Sequence, residues 1–390
     1  MQFQRCYKIP SKSFFLLGPR GVGKSTWIRS EAKYQLAIDL LEHKSFLELQ
    51  RDPSRLEAKV SPLKKGDTVF IDEIQRLPEL LNEVHRLMES HKLNFILTGS
   101  SARKLKRSGA NLLAGRAHTY HMFPFSFSEL GSRFKIADAL TSGTLPVVIR
   151  DSELAEETLN SYVETYLREE IKEEALVRRV DEFVRFLAIA GQLNAQVLNF
   201  GKVGRETGKS ANTVQNWYQI LEETLLGSFV KPYRPGFKVR ESGHPKFYWF
   251  DSGVARVAAG IASVDLDSLW KGFAFETLIL NELRIYKEVS RKRYGVFYYG
   301  TPGAGEIDFL IETRPKMKGH QAEFLTVEVK HSNQWKREYE TPSRQLKEFA
   351  KGAHQRMLGV YLGKEILKFG EFEVLPFSIF IEKLFAGKLF

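Results

Sequence analysis

Apolar residues run along this chain in two rhythms. The first is a set of short unbroken runs that end abruptly in small, hydroxyl or acidic residues. "FFLL" at 14–17 gives way to glycines, the run Thr68 to Ile71 in "DTVFIDEIQ" ends in Asp72-Glu73, and "NFILTGSSA" at 94–102 ends in hydroxyls. Such runs, bounded by turn formers, predict buried strands of a parallel sheet. The second rhythm is the spacing of helices. It follows the first run, fills the chain from about residue 126 to 190 as in "LNSYVETYLREEI", and returns at 199–226. There Gly208 predicts a turn between two helices, and Ser210 predicts the cap of the second. Val214, Trp217, Tyr218, Ile220, Leu221 and Leu225 form that helix's buried face and Gly227 its end, with "SFVKPY" and "KFYWF" as strands beyond. The last third reads as helix "WKGFAFETLILNELRIYKEV", two strands within "YGVFYYGTPGAGEIDFLIE", strand "FLTVEVKH", helix "SRQLKEFAKG" and strand "MLGVYLG".

Composition narrows the picture. The 390 residues are enough for two or three cores, and a hydrophobic fraction of 43% with 29 Phe and 14 Tyr is that of a folded chain. A single cysteine, Cys6, excludes disulfides within the chain and cysteine-rich zinc sites. No stretch approaches the roughly 20 apolar residues that span a bilayer, so the expectation is a cytoplasmic protein with no membrane partner. The net charge of +11 suits a polyanionic partner. Charge is also unevenly placed. Residues 95–128 hold no Asp or Glu but carry Arg103, Lys104, Lys106, Arg107 and Arg116, whereas residues 150–182 hold 11 acidic and 5 basic side chains. The first stretch suits a phosphate-facing surface and the second the solvated face of helices.

The ends of the three apolar runs carry candidate chemistry. Gly18-Pro19-Arg20-Gly21-Val22-Gly23-Lys24-Ser25-Thr26 is a P-loop between a strand and a helix. Its backbone N–H groups and the helix N-terminus suit phosphate oxygens. Lys24 would meet the β- and γ-phosphates of ATP, and Ser25 would offer an oxygen to Mg²⁺. Asp72-Glu73 then reads as a Walker B pair, with Asp72 on the Mg²⁺ side and Glu73 as the group that polarises water. Thr98 or Ser100 stands where a sensor of the γ-phosphate would be. All three clusters fall at strand C-termini, where open α/β sheets bind ligands. Arg116 reads equally well as a surface residue or as an arginine finger for a neighbouring subunit, which would make the protein a homo-oligomer.

Together, "GPRGVGKST", "VFIDEIQ", "ILTGSS", "LAGR" with "PFSFSEL", "GTLPVVI", "YVETYLREEI", "KFYWFDSGVA" and "FETLILNEL" resemble a group of bacterial and archaeal ATPases. These join an AAA-type N-terminal ATPase to a C-terminal domain of formerly unknown function. The resemblance spans nearly the whole chain. It implies ATP binding and hydrolysis, a helical lid, a winged-helix-like segment and a nuclease-like C-terminal fold.

The helix pair at 199–226 resembles a winged helix-turn-helix. Its second helix would offer Lys209, Ser210, Asn212, Thr213, Gln215 and Asn216 to a DNA groove, with Lys202, Arg205 and Lys209 near phosphates. Packing against the ATPase is the equal alternative, and Glu222 and Glu223 disfavour DNA along the whole helix. In the last third, helix–strand–strand–strand–helix–strand is the layout of a PD-(D/E)xK nuclease core. Asp308 lies on one strand, while Glu328 and Lys330 share a face of the next because strand side chains alternate. Asp308 and Glu328 would hold a divalent cation, Lys330 would steady a water, and Glu276 is a fourth candidate. Arg284, Lys287, Arg291, Lys292 and Arg293 are expected along the phosphate path.

The expectation is therefore an α/β chain: an AAA-type P-loop ATPase core at 1–125, a helical lid at 126–190, a winged-helix-like segment at 191–255 and a nuclease-like domain at 256–390. Its cofactors are ATP and Mg²⁺, and its partners are duplex or branched DNA and further copies of itself. The alternative is a nucleotide-controlled switch whose C-terminal domain only binds.

Overall fold

The computed structural model describes residues 3–100, 113, 115–167, 180–233, 243–301, 305–317, 320–350 and 353–390. Among them, β1 (Phe14–Leu17), β2 (Leu36–Asp39), β3 (Thr68–Asp72), β4 (Asn94–Gly99) and β5 (His118–His121) form a sheet in the order β2-β3-β4-β1-β5. Every pairing in it is parallel. A parallel strand needs a crossover, and helices α1 (Lys24–Glu31), α2 (His43–Arg51), α3 (Arg55–Val60) and α4 (Leu80–Ser90) supply the covering layers. The unbroken apolar runs follow from this. Phe14, Leu16, Phe70 and Ile96 face Trp27 and Ile28 on one side, while Phe15, Leu17, Ile71 and Leu97 face Leu80, Val84 and Leu87 on the other. The register sets Leu17 beside Gly99 and Asp39 beside Asp72, so the polar strand ends collect on one edge.

The next stretch is helical: α5 (Phe127–Leu130), α6 (Ile136–Thr141), α7 (Pro146–Arg150), α8 (Ala155–Ser161), a π-helical turn at Tyr162–Leu167, and α9 (Val180–Gln192). It leans on the P-loop, since the Tyr162 hydroxyl donates to the Arg20 carbonyl at 3.0 Å. Then α10 (Phe200–Thr207) and α11 (Ala211–Glu223) flank Gly208 (φ 67°), and the Ser210 hydroxyl caps α11 by accepting from the Thr213 N–H at 3.1 Å. Gly227 does not end this helix. The chain leaves it at Thr224, turns through Leu225 at a left-handed φ of 64°, and Gly227 already pairs with Trp249. The Phe247 ring lies 2.3 Å from where a Cβ on Gly227 would stand, so close packing explains the glycine. The antiparallel hairpin of β6 (Gly227–Pro232) and β7 (Lys246–Trp249) follows.

The remainder comprises α12 (Ser252–Ala258), α13 (Ser268–Ser290), β8 (Gly295–Thr301), β9 (Gly305–Arg314), β10 (Glu323–Lys330), α14 (Thr341–Phe349), β11 (His354–Tyr361), β12 (Leu367–Phe369), β13 (Phe372–Pro376) and α15 (Phe377–Phe385). The second sheet has the order β12-β13-β11-β10-β9-β8-β6-β7. The hairpin thus belongs to it: Lys231 and Pro232 of β6 pair in parallel with Phe297 and Tyr298 of β8. Position 255/256 lies within α12, which follows β7 and precedes β8 in the chain. A single apolar core likewise runs from Phe14 through Trp249 to Leu389. Asp251 fastens the middle to the helical stretch, accepting from the Thr144 N–H at 2.8 Å and from the Val254 N–H at the start of α12.

Candidate functional site

The loop from Gly18 to Gly23 leaves β1 and enters α1 under two constraints. A Cβ on Gly18 would stand 2.3 Å from the Met122 carbonyl oxygen, and Gly23 takes a φ of 89° that a side chain would resist. The buried Lys24 ammonium turns back into the loop and donates to the Gly18 and Pro19 carbonyls at 2.8 and 3.0 Å. Val22 is buried, and its carbonyl accepts from Arg5, which also pairs with Glu129 at 3.0 Å. Arg20, Gly21 and Thr26 lie exposed around the loop mouth.

The strand ends converge here. The Ser25 hydroxyl donates to Asp72 Oδ1 at 2.7 Å, and the Thr98 hydroxyl donates to the same oxygen. Thr98 also accepts from the Glu73 N–H at 3.2 Å. Glu73 itself sits at φ 58°, ψ 45°, a left-handed conformation costing a non-glycine residue about 1–2 kcal/mol. Such strain commonly marks a functional position. Ser100 is buried and accepts from Gln75 Nε2 at 2.9 Å, while Gln75 also donates to Glu73. Gln75 and Arg29 were not singled out from the sequence. Arg29 donates to Asp72 Oδ2 at 3.1 Å and to Asp39 at 2.8 Å, so the buried Asp72 carboxylate is held on both oxygens. Their positions beside "DE" and one turn past Lys24 were the available signals.

Arg116 is not brought to this cluster within one chain. It precedes β5, whose first residue, His118, pairs with Phe14 at the start of β1, so it lies toward the opposite end of the sheet from the P-loop. There it pairs with Glu89 at 2.5 Å on the surface. Arg103, Lys104, Lys106 and Arg107 lie outside the described residues.

A second polar cluster is built on β9, β10 and α13. Glu328 and Lys330 share one face of β10, and Lys330 Nζ lies 2.5 Å from Glu328 Oε1 and 3.7 Å from Asp308 Oδ2. Asp308 Oδ2 also accepts from the Val329 N–H at 2.7 Å. Glu276 projects from α13 and accepts from the Tyr248 hydroxyl at 2.7 Å. Lys246 at the start of β7 lies 3.4 Å from Glu276 and 2.5 Å from Glu306. Lys246, Tyr248 and Glu306 were missed; a lysine opening the aromatic strand "KFYWF" was the only hint.

The inner part of the cluster is covered, with the Lys246 and Glu328 side chains each 4% exposed, whereas Lys330 and Glu306 are 29% and 33% exposed. Burial pushes Glu276 up to about 7, against the pull of Lys246 and with the help of Asp308. Burial and the Asp308 charge push Glu328 well up, against the pull of Lys330. For Lys246 and Lys330, burial opposes the charge, but the surrounding carboxylates outweigh it and both are raised. Glu328 Oε2 is buried with no hydrogen-bond partner. Among the described residues no three His, Cys, Asp or Glu side chains stand arranged as a ready metal cage, because lysines are interleaved with the carboxylates.

The basic run expected beside this cluster lies elsewhere. From Glu276 to Arg291 a helix rises about 22 Å at ~1.5 Å per residue. The Arg284 guanidinium stacks on Phe123 at 4.5 Å, and burial pulls its pKa down to about 10. Lys287 donates to the Tyr294 carbonyl at 2.7 Å, Arg291 lies over Tyr120, and Lys292 packs on Phe390. This end of α13 faces the parallel sheet, where Glu288 accepts from the His121 N–H at 3.1 Å. Between them lies a cavity of about 360 Å³ lined by His121, Phe229 and Arg284 among others.

On the helix pair, Lys202, Arg205, Asn212, Gln215 and Asn216 are exposed. Lys209 instead pairs with Glu182 of α9 at 2.6 Å, and Glu222 accepts from the Phe229 N–H at 3.0 Å. Glu222 thus ties the helix to its hairpin. No described helix is long and apolar enough to cross a membrane.

Three family models match in succession. Residues 10–131 match an AAA domain, residues 133–265 a domain of unknown function (DUF8612), and residues 271–380 another (DUF4143). The N-terminal part is thereby supported as an AAA-type ATPase domain. The chain is 24% identical over 337 residues to an uncharacterized protein of Haemophilus influenzae, covering 82% of this chain and 81% of that one. It is 22% identical to an uncharacterized protein of Methanocaldococcus jannaschii, covering 78% and 73%. Over 90 residues it is 33% identical to the Holliday junction branch migration complex subunit RuvB of Phytoplasma mali, covering 23% and 26%. Among solved structures, Thermotoga maritima RuvB T158V aligns over 56% of this chain and 81% of its own at 18% identity and a TM-score of 0.29. Aeropyrum pernix ORC2 aligns over 70% and 90% at 13% identity and a TM-score of 0.27.

Proposed function

We propose that this protein is an ATP-hydrolysing, Mg²⁺-dependent AAA-type enzyme that acts on DNA, with a metal-dependent nuclease site in its C-terminal part. The observation that carries the ATPase reading is the Ser25–Asp72–Thr98 hydrogen-bonded set beside Lys24. Ser25 and Asp72 offer the hard oxygen donors that Mg²⁺ prefers, and they touch one another across two strand ends. Lys24 would exchange the Gly18 and Pro19 carbonyls for the β- and γ-phosphates. Glu73, held by Thr98 and Gln75, is the base candidate, and Ser100 acts through Gln75. Bound Mg²⁺ would neutralise charge on the phosphates. Arg116, exposed on the sheet's far end, suits a role on a neighbouring copy's nucleotide.

For the C-terminal part, helix, three strands, helix and strand follow in the order such nucleases use, and Asp308, Glu328 and Lys330 lie together on two adjacent strands. Asp308 and Glu328 offer the oxygen donors a divalent cation prefers, and Glu328 Oε2 has no hydrogen-bond partner, but among the described residues no third His, Cys, Asp or Glu completes a cage around them. In that setting Lys330 would hold the attacking water, and Glu276 would orient the set. DNA as the partner is supported by the charge of +11, the exposed Lys202 and Arg205, and the partial match to a protein named for Holliday junctions. The burial of the cluster under Lys246 and Tyr248 favours one second reading, a nucleotide-controlled switch whose C-terminal domain only binds. ATPase and nuclease assays of one preparation, with and without single-stranded, duplex and branched DNA, decide between them. ATP hydrolysis stimulated by DNA, with cleavage lost in Asp308→Ala, supports the enzyme. Hydrolysis indifferent to DNA, with no cleavage in Mg²⁺ or Mn²⁺, selects the switch.

A further inference from the structure

The cavity of about 360 Å³ is shared by all three matched stretches. His121 and Phe123 come from the stretch at 10–131, Glu222 and Phe229 from 133–265, and Leu283 and Arg284 from 271–380. It lies where the end of β5, the hairpin strand β6 and the second half of α13 meet. Small-molecule sites favour such junctions, and their usual volumes of about 300–1,000 Å³ include this one. The described residues that line it include none from the P-loop and none from the carboxylate cluster.

Its lining divides by chemistry. Leu280 and Leu283 of α13, Val230 of β6 and Val296 of β8 make an apolar wall. Arg284 brings a cation to it. Its guanidinium lies over the Phe123 ring at 4.5 Å, and Nη1 is buried with no hydrogen-bond partner. The carboxylates that act on this charge, Glu222 and Glu288, are engaged elsewhere. Glu222 accepts from the Phe229 N–H at 3.0 Å, while Glu288 accepts from the His121 N–H and lies 3.1 Å from Nδ1 of that ring. Lys287 is turned to the Tyr294 carbonyl at 2.7 Å. A buried donor on a charged group is costly without an acceptor, and a ligand oxygen would relieve that cost. The planar guanidinium matches the two oxygens of a carboxylate. A doubly charged phosphate fits less well, because Glu222 and Glu288 already offset the charges of Arg284 and Lys287 and would repel it more.

We propose that this cavity is a binding site for a small amphipathic carboxylate, with its charged end on Arg284 and an apolar or aromatic body against Leu280, Leu283, Phe229 and Val296. Such a ligand would touch the end of the parallel sheet through His121 and the second sheet through β6 and β8. His121 is followed by Met122, whose carbonyl packs against Gly18 of the P-loop.

The test is ligand-observed NMR titration of the full chain, without nucleotide, with 4-phenylbutyrate, octanoate and indole-3-acetate as probes. At least one should bind with a Kd of about 1 mM or tighter, as ligands of this size can. Its neutral amide should bind at least about tenfold more weakly, because the charge-assisted pair with Arg284 is lost. Arg284→Met keeps an apolar stem beside Phe123 and removes the donors, so it should weaken the acid to the level of the amide. Ser228→Trp fills the cavity from β6, leaves Arg284 in place and should abolish binding of both. Equal binding of acid and amide overturns the proposal, as does binding of the acid that survives in either variant. A phosphate on the same apolar body that binds more tightly than the acid overturns it too, and so does the failure of all three probes to bind. The comparison of acid with amide uses the unchanged chain, so it decides the matter even where Arg284→Met folds poorly.

Discussion

Replacing Glu73 separately by Ala and by Gly isolates the backbone strain stored beside the nucleotide site. Both variants lose the same carboxylate and its contact with Gln75, so they differ only in how each tolerates φ 58°, ψ 45°. Alanine keeps the left-handed cost of about 1–2 kcal/mol. Glycine removes it, but its freer unfolded chain takes back about 0.5–1 kcal/mol. Glu73→Gly should therefore be the more stable of the pair by about 0.75 kcal/mol, the difference of the two midpoints. In a chain of this size that is a melting difference of about 1 °C, at ~2.1 cal/mol/K of unfolding entropy per residue. The assay is scanning calorimetry of the pair under one buffer, beside ATP binding and hydrolysis. Both variants should bind ATP and hydrolyse almost none, because the loop, Lys24 and Asp72 are untouched. A Glu73→Gly protein no more stable than Glu73→Ala would refute the strain, and hydrolysis surviving in either would place the base elsewhere.

Arg116→Ala subunits should bind ATP without hydrolysing it, and mixing them with Glu73→Gln subunits should restore part of the activity; full activity in a monomeric Arg116→Ala protein would rule out a role in trans. Neutralising Lys202 and Arg205 should lower the slope of log affinity for duplex DNA against log salt by up to about 1.8, at ~0.9 per phosphate contact, with Lys209→Gln adding little because Glu182 already holds that side chain. An unchanged slope would make the helix pair structural. Burial raises Asp251 from 3.8 to about 6, so the folded state holds its proton more tightly than the unfolded state. Stability should then fall as pH rises from about 4 to 6, by about 3 kcal/mol at ~1.36 kcal/mol for each tenfold difference in proton affinity, and urea melts of Asp251→Asn should lack that part of the pH dependence.

Much of this molecule was legible in the order of its residues. The three apolar runs and their polar ends predicted a parallel sheet, and Ser25, Asp72 and Thr98 do meet at its edge, because a buried parallel strand has a local signature and its C-terminal residue emerges at a known edge. Asp308, Glu328 and Lys330 could be grouped for a similar reason, since alternation along a strand fixes the face and neighbouring strands bring like faces together. What tertiary structure alone decided are the partners that come from far along the chain. Lys246 and Tyr248 reach Glu276 only because β6 and β7 extend the C-terminal sheet, a pairing that no periodicity encodes. The same holds for the fate of charges. Arg284 and Lys287 share a helix with Glu276, and proximity in sequence suggested one surface. The length of α13 and its packing against β5 instead send them to the ATPase side, with Arg284 partly buried on Phe123. Sequence specifies which groups can bind phosphate or metal; which of them meet, and which are already neutralised, follows from how the two sheets are joined.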